Sequence, residues 1–516
     1  METNYKNLIV KIPKEVTHVT ETLESNGFSS YLVGGCVRDL IMGREPKDWD
    51  ITTNARPEEI IALFEKTIYE NRFGTVGVVV NHETLNSMII EVTPYRIEAK
   101  YSDNRHPDEV KFSETLEEDL KRRDFTINSL ALDSKGHLTD IFDGIKDIKE
   151  KVIRTVGEAD ERFNEDALRM LRAIRFACQL DFAVSYDVIH SITKNAHLIK
   201  NISQERIRDE FVKIIMSNNP MMGIGMLQKF GLLKYIIPEL EEGIHCEQGG
   251  AHKFDVFEHL VQALGHAADK NWSFVIRMSA LMHDIGKPKT RRIAGPVDNF
   301  TGPRFSSAQI GGPRPDHAKS SSRPAIRPYT FYGHEVVGAR MAKKIMERMK
   351  FSRDEINMVE SLVRNHMFFS DTEQITLSAV RRIIVKVGKD NIWTLMNVRE
   401  CDRVGMAKKE APYRLRKYHA MIEECLRDPI SVSQLKIDGN FLMKDMQMKP
   451  GPRMGWILNA LLEEVLENPE KNEIEYFKNK VFELEKLSDK DLRALGEKAK
   501  EKKEEQIGRA SCRERV

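Results

Sequence analysis

The sequence lacks most of what would place it quickly. Its six cysteines (Cys36, Cys178, Cys246, Cys401, Cys425, Cys512) are scattered through 516 residues with no C-x-x-C pair. That excludes a disulfide framework and a cysteine zinc finger, and it fits a reducing cytoplasm. No apolar run approaches the roughly 20 residues that span a bilayer. Met1 to Lys14 is polar and charged, without the apolar block of a secretory signal. Excess charge is also missing: 80 Lys and Arg against 79 Asp and Glu leave +1. A nucleic-acid partner would therefore be held by local patches and not by a global field. There is no internal repeat. What remains is an ordinary core-forming composition, 41% hydrophobic and 31% charged, long enough for about three to four domains.

Strand-like and helical stretches mix over residues 1–150. Tyr31-Leu-Val ends in Gly34-Gly35, Thr75 to Asn81 and Met88 to Thr93 are β-branched and apolar, and Pro57 to Lys66 reads as a helix. From about 160 to 490 the apolar spacing is helical, as at Leu168, Leu171, Ile174 and Ala177. Arg291 to Pro328 holds six of the nineteen prolines with clustered Gly and Ser, the composition of a disordered insert of native or foreign origin. The chain from about Lys486 is rich in Lys and Glu. Ile507 to Val516 has no apolar periodicity and matches an in-frame translated sequencing adapter, so it is set aside.

Three acids stand out in the first 150 residues. In Asp48-Trp49-Asp50, residues i and i+2 of a strand share a face, so both carboxylates can reach one ion pair. Mg²⁺ takes hard oxygen ligands together with substrate phosphates. Glu91, inside the apolar run Met88-Ile-Ile-Glu-Val, is a third candidate. A lone D-x-D is usually a surface turn; the glycine pair upstream and the acid downstream argue against that here. Gly34-Gly35 followed by Arg38 reads as a strand–turn–helix whose backbone can approach a phosphate.

Residues 32–52, LVGGCVRDLIMGREPKDWDIT, resemble the first motif of the class II nucleotidyltransferases of the polymerase-β superfamily, which add CCA to tRNA or poly(A) to RNA. Arg122 to Asn128 resembles their second motif, which implies that Arg123, Asp124 and Asn128 hold the triphosphate and ribose. Asp140 to Asp147 resembles their hinge, and Ile202 to Glu210 the helix that closes the neck. Glu98 to Pro107 is similar to a loop carried by complete CCA enzymes, which favours CCA addition over poly(A) addition.

Glu165-Asp166-Ala-Leu-Arg169 reads as helix, with 166 and 169 one turn apart. An Asp acceptor beside an Arg donor fork complements the Watson–Crick edges of cytosine and adenine and mismatches guanine and uracil. The bland alternative is a solvated i,i+3 ion pair. The resemblance implies the first reading, with Arg172 and Arg175 on ATP or CTP. Residues 151–215 carry 11 basic against 10 acidic side chains, so tRNA binding is expected from the resemblance and not from charge.

A second constellation is helical: His259, His283, Asp284, His334, His366 and Asp402. His259, His283, Asp284 and Asp402 suit one divalent transition metal, and His334 and His366 could support a second. The set resembles HD-superfamily phosphohydrolases. In relatives this domain acts on RNA-terminal phosphates or 2′,3′-cyclic phosphates, or keeps the fold without catalysis. The insert interrupts the usual short connection between Asp284 and His334.

The expected architecture is an α+β head (a polymerase-β-type nucleotidyltransferase, a small mixed sheet with helices) over 1–150. An all-α remainder follows: neck and body over 151–245, an HD metal domain over 246–410 and an RNA-binding tail over 411–490. A charged extension, 491–506, and the segment 507–516 end the chain. The expected function is addition of C, C and A to the 3′ end of tRNA from CTP and ATP, with Mg²⁺, in the cytoplasm. A poly(A) polymerase, or an HD phosphohydrolase whose head only binds RNA, are the alternatives.

Overall fold

The computed structural model describes residues 5–70, 74–80, 87–99, 109–248, 253–293, 329–368, 375–405 and 412–495. Most of the loop read at 98–107, nearly all of the insert and the whole of 507–516 lie outside them. The chain divides into two compact units, Met1–Pro238 and Glu239–Val516. The head and residues 151–238 of the neck thus fall in the first unit, and residues 239–245, the HD region and the tail in the second.

The first unit is built on a mixed sheet. Its strands are β1 (Ser30–Val33), β2 (Asp50–Thr53), β3 (Thr67–Glu70), β4 (Thr75–Val80), β5 (Met88–Pro94), β6 (Leu130–Leu132) and β7 (Leu138–Asp140). They run in the order β3-β4-β5-β2-β1-β6-β7. β2 and β5 are parallel and every other neighbouring pair is antiparallel. β1 and β2 bury Leu32, Val33 and Ile51, and β4 and β5 bury Val76, Val78, Ile90 and Val92. β-branched residues suit such a half-covered pleated surface.

The helices that matter for the site are α1 (Gly35–Ile41), α2 (Leu116–Lys121), α3 (Ala159–Glu165), α4 (Leu168–Leu180) and α5 (Gln204–Ile215). Three sequence readings change in detail. Asp48 lies in a bend before β2, which starts at Asp50, so the two aspartates do not share a strand. The helix read over 57–66 stops at Leu63, because Phe64 turns extended. The helix read through 165–169 is broken: Asp166 is extended (φ −140°, ψ 104°) between α3 and α4.

The second unit is helical. α6 (Val256–Asp269), α7 (Phe274–Met282), α8 (His334–Arg348), α9 (Arg353–Asn365) and α10 (Ile392–Asp402) carry the HD residues. One hydrophobic core runs on from them into the tail, joining Ala263, Leu362 and Val380 to Ile422, Leu461 and Phe477. Tail and HD region therefore share one apolar interior.

The described residues that flank the insert pair with each other. β8 (Arg292–Ile293) and β9 (Tyr329–Thr330) are antiparallel, Arg292 opposite Thr330, with the Arg291 guanidinium 3.8 Å from the Tyr329 ring centroid. Because this ribbon closes by itself, replacing 294–328 with an Asn-Gly turn should leave the second unit folded. Its melting temperature should be unchanged or raised, since a shorter loop costs less closure entropy. A fall would show that the insert is structurally required.

Candidate nucleotide site and metal centre

In the first unit one cleft of about 640 Å³ is lined by Gly34, Gly35, Arg38, Asp48, Asp50, Glu91, Arg123, Asp124, Asn128, Asp166, Arg169, Arg172 and Arg175. These are all of the nucleotide-site residues singled out from the sequence in the head and neck. Glu91 is the register partner of Asp50 across the parallel β2–β5 pair, so the two side chains leave the sheet on one side. Asp48 reaches the cleft from its bend. Glu91 is exposed, not buried as its apolar neighbours suggested; the alternation of β5 aims it at the cleft. Asp50 is half-buried. Burial raises its pKa, Arg123 opposes and Asp48 adds to the rise. Three carboxylates facing one cleft, one of them partly desolvated, are a donor set that fits hard divalent cations.

Gly34 has φ +77°, and a Cβ there would lie 3.1 Å from Arg123 Nη1 and 3.6 Å from Asp50 Oδ2. Only glycine fits both conditions. Gly34→Ala is expected to cost about 1–3 kcal/mol of stability and to abolish nucleotide binding. Thermal melting and CTP titration read the two effects separately.

The cations are ordered by an amide and two acids. Arg38 donates to Asn128 Oδ1 at 2.6 Å, Arg172 to Asp124 Oδ2 at 2.6 Å, and Arg175 to Glu210 Oε1 at 3.1 Å. Burial alone would raise the Asp124 pKa, but Arg172 and Arg169 hold it below the usual range. Burial pushes Arg175 down to about 10 against the pull of Glu210. Arg38, Arg172 and Arg175 also surround the Phe176 ring, 5.4, 5.6 and 4.2 Å from its centroid. Phe176 lines the cleft, as do Arg122, Leu168, Arg206 and Lys213. None of the five had been singled out. Arg206 and Lys213 lie on α5, which had been read only as a neck-closing element.

Asp166 and Arg169 both face the cleft but are not each other's partners. Asp166 Oδ2 accepts from Arg206 at 2.7 Å and Oδ1 from the Leu168 N–H at 3.0 Å. Arg169 donates to Glu165 at 2.6 Å and to the Arg122 carbonyl at 3.3 Å. The helix break lets each side chain be held from behind by a separate partner. An acceptor and a donor fork thus stay apart, as a base edge requires.

The second unit gathers all six predicted HD residues. His259, His283, Asp284 and Asp402 form one group with metal-ligand spacing, and Asp284, His334 and His366 a second. Asp284 belongs to both. Its Oδ2 lies 3.5 Å from His259 Nε2 and 3.4 Å from His283 Nε2. Its Oδ1 lies 3.1 and 3.6 Å from Nε2 of His334 and His366. His283, His334 and His366 each place Nδ1 2.7–2.8 Å from the carbonyl three residues back. A carbonyl only accepts, so each Nδ1 carries hydrogen and each Nε2 is the ring atom turned to the centre. Nε2 of His334 and His366 and Oδ1 of Asp284 are buried without well-formed hydrogen bonds, while Oδ2 is ion-paired with Lys287. Such convergent orphaned lone pairs fit divalent transition metals. Burial opposes charge on His283, but Asp284 and Asp402 outweigh it and lift its pKa to about 10; at His259 and His334 burial prevails and lowers it. The sequence reading had missed Lys287, whose buried ammonium contacts Asp284 and donates to Gln248 at 2.6 Å.

Fold and sites together define a nucleotidyltransferase head of the polymerase-β type followed by a helical HD domain. The family "Poly A polymerase head domain" matches residues 30–154 and "HD domain" residues 256–388. "Probable RNA and SrmB-binding site of polymerase A" matches 181–244, and "tRNA nucleotidyltransferase domain 2" matches 336–481. A CCA-adding enzyme of Ligilactobacillus salivarius is 47% identical over 223 residues, 43% of this chain and 54% of that relative. One from Lactobacillus helveticus is 42% identical over 271 residues, 52% of this chain and 64% of that relative. The chain thus spans between half and two thirds of the length of these curated relatives. The Bacillus stearothermophilus CCA-adding enzyme in complex with CTP superposes with a TM-score of 0.65 at 25% identity, over 92% of this chain and 98% of that one. The chain thus carries a region matched by the poly(A) polymerase head family and one matched by the HD family, and it is similar to CCA-adding enzymes in sequence and fold.

Proposed function

We propose that this chain adds CCA to the 3′ end of tRNA, taking CTP twice and then ATP and releasing pyrophosphate, without a nucleic-acid template. The observation that carries the reading is the convergence of Asp48, Asp50 and Glu91 with Asp166 and Arg169 in one cleft. Asp48 and Asp50, with Glu91, would hold Mg²⁺; when bound, such ions activate an attacking hydroxyl and stabilise a leaving pyrophosphate. Gly34, Gly35 and Arg38 receive the phosphates, with Arg172 and Arg175 as further anion contacts. Arg123, Asp124 and Asn128 position triphosphate and ribose. Asp166 accepts from the exocyclic amine of cytosine or adenine, and Arg169 donates to the neighbouring ring acceptor. A guanine or uracil would leave both groups unpaired, at about 1–3 kcal/mol each.

The domain roles follow the divisions at 150, 245, 410 and 490, with tRNA held by body and tail in the cytoplasm. The test is incubation with tRNA lacking its terminal CCA, with product ends sequenced. CTP alone should add two residues, and ATP a third. No C incorporation overturns the reading, and A runs without C point to a poly(A) polymerase.

The Asp284-centred clusters support a second activity: metal-dependent hydrolysis of RNA-terminal phosphates or 2′,3′-cyclic phosphates. His259, His283, Asp284 and Asp402 would hold one divalent transition metal, and His334 and His366 with Asp284 a second. Phosphate release from RNA with a cyclic end tests it. An Asp48→Ala variant should retain that release while losing CTP incorporation.

A further inference from the structure

Asp119 does not line the cleft, yet it lies wholly buried beneath it on α2. It accepts from Arg122 Nε at 2.9 Å and Nη2 at 2.5 Å, from Arg123 Nη2 at 3.0 Å, and from the Thr52 hydroxyl at 3.3 Å. Thr52 stands two residues beyond Asp50 on β2, on the same face of the strand. The other end of Arg123, Nη1, crowds the space above Gly34 together with Asp50 Oδ2. An untethered guanidinium beside a carboxylate closes onto it in a bidentate fork. Such a pair would neutralise Asp50 and consume the Arg123 donors at once. Here one end of the fork is drawn back under the sheet.

We propose that Asp119 is a positioning residue that keeps Arg123 from closing onto Asp50, leaving Arg123 Nη1 for an anionic phosphate and Asp50 for a cation. The inference rests on the reading of the cleft as a nucleotide and Mg²⁺ site. A structural acid would serve equally well with Arg123 absent. A positioning acid matters for cation binding only while Arg123 is there to be restrained.

The test is CTP binding by calorimetry on the full chain at increasing Mg²⁺, which needs no turnover. Asp119→Asn should raise the Mg²⁺ concentration for half-maximal CTP binding about tenfold or more, the scale of one charge-assisted contact. In an Arg123→Gln background the same substitution should leave that midpoint unmoved, because no guanidinium remains to close onto Asp50. An equal shift in both backgrounds, or none in the first, overturns the proposal. Asp119→Ser, smaller and open to water, serves as the second neutral variant and should show the same background dependence. Failure of both neutral variants to melt cooperatively makes Asp119 a folding residue and equally overturns it. Absence of Mg²⁺-dependent CTP binding by the unaltered chain would instead sink the reading of the cleft itself.

Discussion

Asp50→Ala is expected to reduce CTP incorporation into trimmed tRNA by about a thousandfold or more, the several kcal/mol that cation-held charge stabilisation supplies. Stability should move the other way. Asp50 is partly buried and its pKa is raised, chiefly by burial, so the folded state favours its protonated form. A carboxyl with a raised folded pKa loses stability as pH climbs through the unfolded and then the folded value, and at neutral pH its charge is a cost. Removing it should leave the melting temperature unchanged or higher when Mg²⁺ is absent. Adding Mg²⁺ with CTP should stabilise the unaltered chain and not the variant. Incorporation within tenfold of the original, or loss of the cooperative transition, would refute this account of Asp50.

The acids, glycines and arginines of the head were legible because each belongs to a short stretch with its own spacing, and the fold only had to bring those stretches together. Spacing failed where tertiary partners decide geometry. Asp166 and Arg169 sit three apart, the distance of a helical pair, yet the helix breaks at Asp166. Its carboxylate caps the Leu168 N–H and meets Arg206, forty residues on. Nothing local signals that partner. Asp119 and Phe176 were missed for a related reason. An acid one turn before two arginines reads as a solvated helix face, and a phenylalanine among leucines reads as core. Only the folded chain shows the first wholly buried under β2 and the second ringed by three guanidiniums. The HD residues were the reverse case. Histidines and aspartates scattered over more than 140 positions converge because α6, α8, α9 and α10 place them around the end of α7, and the His-Asp pair after α7 marks the centre.

The sharing of Asp284 between both groups predicts the largest effect in the second unit. Asp284→Ala removes the ligand common to both, so metal retained after gel filtration, read by mass spectrometry, should fall to about a tenth of the original or less. The variant should also lose about 3–5 kcal/mol of stability, because the buried Lys287 ammonium then faces Gln248 without its counter-ion. His366→Ala removes one ligand of the second group only and leaves Lys287 paired. It should lower metal content less and cost stability mainly through its cavity. Pairing Asp284→Ala with Lys287→Met should restore most of the stability and none of the metal. That separates the acid's role as counter-ion from its role as bridge. Equal metal loss in the Asp284 and His366 variants would mean that the two groups bind as one site and that Asp284 bridges nothing.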